Sequence, residues 1–510
     1  MTLDGIAVDL VADSFPMDAA PLAAVIDELG LRAQVEPAAT ETAWVAFRAG
    51  GSSGALRRAP LPGPSAAAED SAALAGIPAN PWAENVRRII GWNGAWRAYL
   101  DRLRPPLTIG RESSLGALVA GRMGARVRDR LVAPLTHGVY GVAPEAIDVD
   151  RAVPGLSAAL TRTGSLAGGA DQLLAARPAA DGARLATLRG GMSDLVGTLA
   201  ARLADLDADV RTGARVTELA RVGDRWVVRV TEDTAAASET PPAAAPDAVA
   251  TPTADGPDAV ATPAVTVGAA SLTADAVIVA TGAASAVALL GTAGAEVAET
   301  AAPVRDVVTL VVDAAGLDAP EAGTAAAVYP AAGAAEAAGV VNATAMWPSV
   351  AEAAGPDRWV LRVSLPAADS ARRDGPLLST RPENAGTQPA GSTGTGRLDA
   401  TDAPDAADAP GAPEPRAQEQ AAAQAALLLG AAPLAVRACA QRRVVLEEPA
   451  SVLGHAERTA LARAAVAARP GLTAVGAWLS GGGIAAVVAD AIGQADAVRR
   501  SVLWGSDDPS

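Results

Sequence analysis

The segment GLTAVGAWLSGGGIAAVVADAIGQADAVRRSVLW, residues 471–504, constrains the fold of this chain more than any other. An apolar strand pattern, Leu472–Ala477, runs into three consecutive glycines, Gly481–Gly483, and helical spacing begins near Ile484. Strand, glycine loop and long helix in that order form a unit of α/β architecture. Glycine backbone carries no side chain, so a flat ligand can approach it closely. The helix start adds unpaired N–H groups with partial positive charge. A strand–turn–helix that only packs reads the same way, so this segment alone leaves both readings open.

Other pieces carry the same architecture. DAVIVATG, Asp275–Gly282, is an apolar strand ending in Thr–Gly, where a nucleotide or another loop can rest on the strand's carboxyl end. RGGMSDLVGTLAARL, from Arg189, puts a glycine turn before an amphipathic helix. VRTGARVTEL, around Val216, reads as a strand whose backbone can pair with an adenine edge or with another strand. Gly5–Phe15 has strand character, Leu22–Leu31 has helical spacing ended by Gly30, and Ala43–Arg48 is a short strand. From Pro81 to about Leu173 the pattern is mainly helical, with Trp82, Val86, Ile89, Ile90, Trp96 and Leu100 predicted on one broad face. Strands are also predicted near Val210–Leu219, Arg225–Thr231, Val307–Val312, Ala325–Tyr329, Val340–Met346 and Trp359–Leu365. The class is α/β, shading into α+β.

Two stretches, 232–263 and 367–415, are rich in Ala, Pro, Thr, Asp and Gly, and the first contains PDAVATP twice. Such composition cannot bury a core, so both read as disordered insertions within domains. The net charge of −16, with every fixed cation an arginine, argues against nucleic acid as a partner. A single cysteine, Cys439, excludes an internal disulfide, and with only His137 and His455 a metal site is not expected. No signal peptide or membrane span is evident, and the expectation is a soluble cytoplasmic protein. His137 and His455 read as hydrogen-bonded or capping residues, and no Ser/His/Asp triad or paired-carboxylate site stands out.

Taken in order, the motifs resemble the bacterial protoporphyrinogen/coproporphyrinogen oxidases of the amine-oxidase-like flavoprotein superfamily. DGIAVDLVADSF is similar to that family's G-x-x-x-D-x-G-x-x-S-F strand, and GIP comes next at Gly76–Pro78. SSLGALVAGRMGARVRDRLVAPLTHGVYGVAPEAIDV, Ser113–Val149, is the most family-specific block. RGGMSDLVGTLAARL, VRTGARVTEL, DAVIVATG, the MW of ATAMWPSV, GHAERTALARAAVAARPGL and GAWLSGGGI then come in the family's order.

The resemblance implies a Rossmann-like FAD-binding domain, a mixed-sheet substrate domain and a helical domain. FAD-binding segments would be 1–42, 181–290 and 441–510, substrate-domain segments 43–80 and 291–440, and the helical domain 81–180. It implies that Val216 contacts adenine through its backbone. Gly476, Gly481, Gly482, Gly483 and Ile484 would border the flavin, whose N1–C2=O edge suits a helix start. Tyr140 would lie toward the substrate. The implied reaction is six-electron oxidation of a porphyrinogen to a porphyrin in haem synthesis, with hydride passing from a meso carbon to flavin N5 and molecular oxygen as acceptor. The helical part would lean on a membrane surface.

The resemblance also sets expectations of departure. The family's pyrophosphate loop precedes the DLG-like strand, in a unit of roughly 40–50 residues. Here Met1 stands four residues before Gly5, so the FAD-binding domain is expected to be truncated at its N-terminus, with the true start upstream or the chain a decayed paralogue. Val11 stands at a usual glycine, and Met346 where many relatives have lysine. Another amine-oxidase-like flavoenzyme, or a non-catalytic porphyrin-binding protein lacking FAD, are the alternatives.

Overall fold

The computed structural model describes residues 1–50, 54–63, 72–104, 113–177, 184–233, 267–291, 303–313, 325–367, 415–447 and 449–504. Of the two expected insertions, residues 234–263 and 368–414 lie outside the described residues.

The N-terminal stretch is not the single strand that its apolar residues predict. Thr2–Leu3 and Ile6–Ala7 form a hairpin through Asp4 and Gly5, both at positive φ, and Phe15–Pro16 is a separate strand. Asp9 and Asp13 lie between them, and each carboxylate finds its partner in a distant segment: Asp9 accepts the Met192 N–H at 2.9 Å, and Asp13 pairs with Arg362. Helix α1, Ala20–Glu28, then buries Leu22 and Ile26. Strands β1, Ala43–Arg48, and β2, Leu56–Pro60, form the next hairpin.

The helical pattern becomes α2 (Glu84–Tyr99), α3 (Leu115–Arg122), α4 (Ala133–Tyr140), α5 (Leu156–Thr163) and α6 (Leu166–Ala175). They enclose a core that includes Val86, Ile89, Ile90, Leu118, Leu131 and Leu156. Trp96 departs from the predicted buried face. Gly91 sits at φ 72°, ψ 169° and breaks the periodicity inside α2, so Trp96 emerges 57% exposed. There it joins Trp82 and Tyr99 in an aromatic cluster with ring centroids about 6 Å apart.

A polar hub ties this bundle. The Arg122 guanidinium, on α3, pairs with the Asp101 carboxylate at 2.5 Å and donates to the Gly164 carbonyl at 3.1 Å. The other Asp101 oxygen accepts the Leu166 N–H at the start of α6, so one buried carboxylate joins three segments.

Helix α7, Ser193–Asp205, comes after the Arg189 glycine turn as predicted. Strands β3 (Ala214–Val222), β4 (Arg225–Asp233) and β5 (Val267–Ala274) form an antiparallel sheet. Strand β6, Val277–Val279, enters helix α8, Ala283–Leu290, as the DAVIVATG pattern implies. Strands β7 (Val304–Asp313), β8 (Ala327–Pro330), β9 (Gly339–Asn342), β10 (Arg358–Pro366) and β11 (Val436–Val445) join β1 and β2 in one seven-stranded sheet. Its order is β11–β7–β10–β9–β8–β1–β2, antiparallel except where β8 meets β1. The predicted strand Val340–Met346 stops at Asn342, whose side chain accepts the Ala345 N–H at 3.1 Å and caps a helical turn, Ala343–Met346.

Helix α9, Pro415–Leu429, covers one face of this sheet with Ala421, Ala425, Leu428 and Leu429, while Leu3, Ile6 and Val8 of the N-terminal hairpin cover the other. Helix α10 (His455–Ala467), strand β12 (Leu472–Ala474) and helix α11 (Ile484–Trp504) end the fold, and β12 pairs in parallel with β6. The result is a mixed α/β molecule. No helix among the described residues is long and apolar enough to cross a membrane.

The Asp101 hub makes a testable demand. Asp101→Ala strands the Arg122 charge at 5% exposure and is expected to cost about 3–5 kcal/mol in denaturant unfolding. Arg88→Ala, which breaks an exposed pair with Glu84, serves as the control and is expected to leave the midpoint nearly unchanged. Equal midpoints for the two variants would remove the hub from the account.

Candidate functional site

The C-terminal loop is built from both strands of the parallel pair. Strand β12 ends at Ala474, shorter than predicted, and Gly476 turns the chain at φ 140° into a single helical turn, Ala477–Ser480. Trp478 in that turn donates its indole N–H to the Thr281 carbonyl at 3.2 Å, which fastens the ends of β6 and β12 together.

The three glycines then have different neighbours. A Cβ on Gly481 would stand 2.5 Å from the Ala450 backbone nitrogen, so this glycine is required by the chain's own packing. Among the described residues, a Cβ on Gly482 would meet only the Glu447 carbonyl, at 3.4 Å, and one on Gly483 would meet nothing within 4 Å. The backbone of Gly482 and Gly483 therefore faces open space at the N-terminus of α11. Ile484, the first residue of that helix, packs against the cluster of Phe15, Met192 and Leu195.

Val216 and Tyr140 lie on other elements. Val216 is in β3, opposite Val230, and the ladder slips there: Thr217 is skipped in the register between Val216 and Glu218, and its hydroxyl donates to the Arg229 carbonyl at 3.4 Å. Tyr140 closes α4, half exposed, before Gly141 in the left-handed region. The PLTHGVYG block that contains it docks on the seven-stranded sheet through glycine. The Tyr329 ring of β8 lies where a Cβ on Gly138 would stand, 2.2 Å away, and Arg305 of β7 donates to the Gly138 carbonyl at 3.0 Å and to the His137 carbonyl. Burial pushes the Tyr329 phenol up to about 12 and lowers the Arg305 guanidinium from its ordinary value. Tyr329 thus stays a neutral hydroxyl at physiological pH.

A cavity of about 100 Å³ lies beside the Arg189 turn, lined by Asp9, Asp13, Thr309, Trp347 and Arg362 among others. The Asp13 carboxylate accepts from Arg362 at 2.6 Å and from the Trp347 indole at 3.1 Å. Asp9 faces the same space. Burial is the main cause that raises its carboxyl above the ordinary value; the neighbouring Asp13 adds to this, and the Met192 N–H opposes it. The Thr309 hydroxyl, 1% exposed, has no hydrogen-bond partner among the described residues. Such a cavity suits ordered water or a small polar group. Met192 links it to the glycine loop: its N–H binds Asp9 while it shares a cluster with Ile484.

Sequence reasoning did not single out Asp9, Asp13, Thr309, Tyr329 or Arg362. Asp9 and Asp13, inside the apolar run DGIAVDLVADSF, were a usable signal, because a buried carboxylate demands partners. Val11, expected to crowd an approaching ligand, is exposed. His137 bonds through Nδ1 to its own helix, at the Ala133 carbonyl, 3.0 Å away. Cys439 donates to Gln418 at 3.1 Å, and burial pushes its thiol up, away from reactivity. No cluster of metal-binding side chains occurs among the described residues.

Comparison with known proteins agrees with this geometry. The model of the family described as flavin-containing amine oxidoreductase matches residues 1–292. No curated protein matches by sequence. Among solved structures, a protein of Exiguobacterium sp. 255-15 provisionally named protoporphyrinogen oxidase is 18% identical with a TM-score of 0.68, over 97% of this chain and 88% of that one. An oxidoreductase of Methanosarcina mazei is 12% identical, TM-score 0.51, over 97% and 90%. A reduced UDP-galactopyranose mutase is 10% identical, TM-score 0.57, over 98% and 84%. With more than half its length matched, the chain belongs to the flavin-containing amine oxidoreductase family, an oxidoreductase family whose cofactor is FAD.

Proposed function

We propose that this protein oxidises a porphyrinogen, coproporphyrinogen III or protoporphyrinogen IX, to the porphyrin, with molecular oxygen as final acceptor. The observation that carries the flavin part is the open backbone of Gly482 and Gly483 at the head of α11. When bound, FAD supplies the hydride-accepting chemistry. The residues present fit its isoalloxazine end: Gly476, Gly481, Gly482, Gly483 and Ile484 border a side-chain-free ledge, and the helix start favours negative charge there. The slip in β3 leaves main chain beside Val216 for an adenine edge. The pyrophosphate end is different. Among the described residues no strand, Gly-x-Gly-x-x-Gly turn and helix stand in sequence, so no protein group is assigned to the phosphates.

The porphyrinogen rests on the Ser113–Val149 block and on the Exiguobacterium likeness. The block's glycine-to-Tyr329 contact fixes the end of α4, so that Tyr140 presents its ring from a rigid support. A flat tetrapyrrole is suited to such an aromatic face. Hydride transfer needs orientation more than a strong base, which accords with the site's lack of an evident acid–base pair. We propose further that 1–42, 181–290 and 441–510 form the FAD-binding domain, that 43–80 and 291–440 form the substrate domain, and that 81–180 is helical. A cytoplasmic protein is proposed, and exposed Trp92, Trp96 and Leu103 suit peripheral contact of the helical part with a membrane. One second reading is a porphyrin-binding protein without catalysis, since no pyrophosphate cradle stands among the described residues.

The assay is porphyrin fluorescence on adding either porphyrinogen to FAD-supplemented protein in air. FAD-dependent porphyrin formation is expected, and turnover of an amine or a polyene without any porphyrinogen oxidation would sink the reading. The glycine loop has its own test. Gly482→Val is expected to leave thermal unfolding unchanged and weaken FAD binding by about tenfold or more, about 1.4 kcal/mol. Gly481→Val is expected to lower the melting temperature, because its Cβ collides with Ala450. Unchanged FAD affinity in Gly482→Val would take the loop out of the site.

A further inference from the structure

We infer that the small cavity between Asp9, Asp13 and Thr309 is a proton site for the oxygen half of the reaction. Asp9 holds a proton there and delivers it, through cavity water bound by the Thr309 hydroxyl, as oxygen is reduced to hydrogen peroxide. This rests on the flavin reading, because the electrons come from a reduced cofactor.

The charges in the cavity do not balance. Its lining includes two carboxylates, Asp9 and Asp13, and two guanidiniums, Arg189 and Arg362. Arg189 is largely exposed and turns to Glu36, 3.7 Å away. Arg362 is buried, and Asp13 takes it at 2.6 Å. What Arg362 offers Asp9 is a bond to the main-chain carbonyl, at 3.2 Å, and not to the carboxylate. One Asp9 carboxylate oxygen accepts the Met192 N–H at 2.9 Å, and the other accepts nothing among the described residues. A carboxylate without a counter-charge inside a protein is relieved by taking up a proton. Burial, first, and then Asp13 raise the Asp9 carboxyl above its ordinary value, against the Met192 N–H, Arg362 and the Met1 amino group.

Thr309 is the second part of the site. In β7 it alternates with Val308 and Leu310, which lie under α9, and so shares the face of Val311, toward the N-terminal hairpin. There it lines the cavity with its unpartnered hydroxyl. A space of about 100 Å³ has room for several waters, and the hydroxyl and the second Asp9 oxygen are polar partners for them. A protonated carboxyl adds a donor to that set. Asp9, water and Thr309 thus form a site that a proton can both occupy and leave.

The site opens toward both halves of the proposed reaction. Met192, on which the Asp9 carboxylate leans, shares a cluster with Ile484, the residue after the open glycines. On the other side, the buried Tyr329 phenol lies within electrostatic reach of Asp13, Arg362 and Tyr140, so polar groups continue toward the proposed substrate side.

The protons and electrons balance. For each two-electron step the porphyrinogen loses a hydride and one N–H proton. Oxygen takes the hydride equivalent from the reduced cofactor and a proton from Asp9. The O=O double bond becomes a single bond, two O–H bonds form, and the Asp9 O–H bond breaks. The porphyrinogen's N–H proton then restores Asp9.

Infrared spectra of the full chain read the buried proton without any cofactor. A carboxylic-acid band is expected to persist at pH values where ordinary aspartates, at about 3.9, have ionised. It is expected to vanish in Asp9→Asn, which keeps the oxygen that Met192 binds. Absence of the band, or its survival in the variant, would overturn the inference. Thr309→Val reads the water: a lower melting temperature is expected, whereas a higher one would mean a dry hydroxyl and overturn the site. Protein loaded with FAD and reduced by porphyrinogen under nitrogen is then mixed with oxygen. Asp9→Asn is expected to reoxidise about a hundredfold more slowly than the parent, without the parent's acceleration toward low pH. Equal slowing of reduction and reoxidation would mark Asp9 as structural. That result, or unchanged reoxidation, would overturn the inference and leave the flavin reading standing. A chain that takes up no FAD would remove the flavin reading and the oxygen step with it.

Discussion

The Asp13 carboxylate joins the N-terminal segment to the rest of the molecule. It accepts the Arg362 guanidinium from β10 and the Trp347 indole from the turn after β9, all three within the protein. A buried carboxylate without such partners would be costly, so the segment from Asp9 to Asp13 has little freedom in where it lies. Once it is placed, Asp9 meets the Met192 N–H, the Arg189 turn is set, and α7 begins where Ile484 can pack against its first residues. The glycine loop is thus positioned from both sides, by the strand pair beneath it and by the N-terminal segment beside it.

That arrangement separates two demands on glycine. Gly481 is needed for packing against Ala450, whereas Gly482 and Gly483 meet no side chain among the described residues. Open backbone at the start of a long helix is a feature a bound group can exploit, and the family to which the chain belongs carries a flavin. The same logic applies to Gly138: its lack of a side chain admits the Tyr329 ring, and so seats the end of α4 against the sheet.

Much of this was legible in the sequence, for identifiable reasons. Ala43–Arg48 and the helix from Ile484 were readable because apolar periodicity and glycine punctuation agree there. The N-terminal hairpin was not, since side chains can alternate as in a strand while buried carboxylates pull the backbone elsewhere. Trp96 was misplaced because a helical wheel assumes an unbroken helix, and Gly91 breaks it. Strand β11 escaped notice because its arginines hid the alternation, although Ala440 is buried against β7 and Arg443 pairs with Asp306. In the site, the contiguous loop from Gly476 to Ile484 was visible, whereas Asp9, Thr309 and Arg362 converge from distant segments that only the fold brings together.

The central claim is that a flavin rests on the open backbone at the head of α11. Hydrogen exchange read residue by residue, with and without saturating FAD, tests it most directly. The account predicts new protection centred on Gly482–Ile484, extending to Met192 through the shared cluster. Protection confined to other segments, or none at saturating FAD, would contradict it.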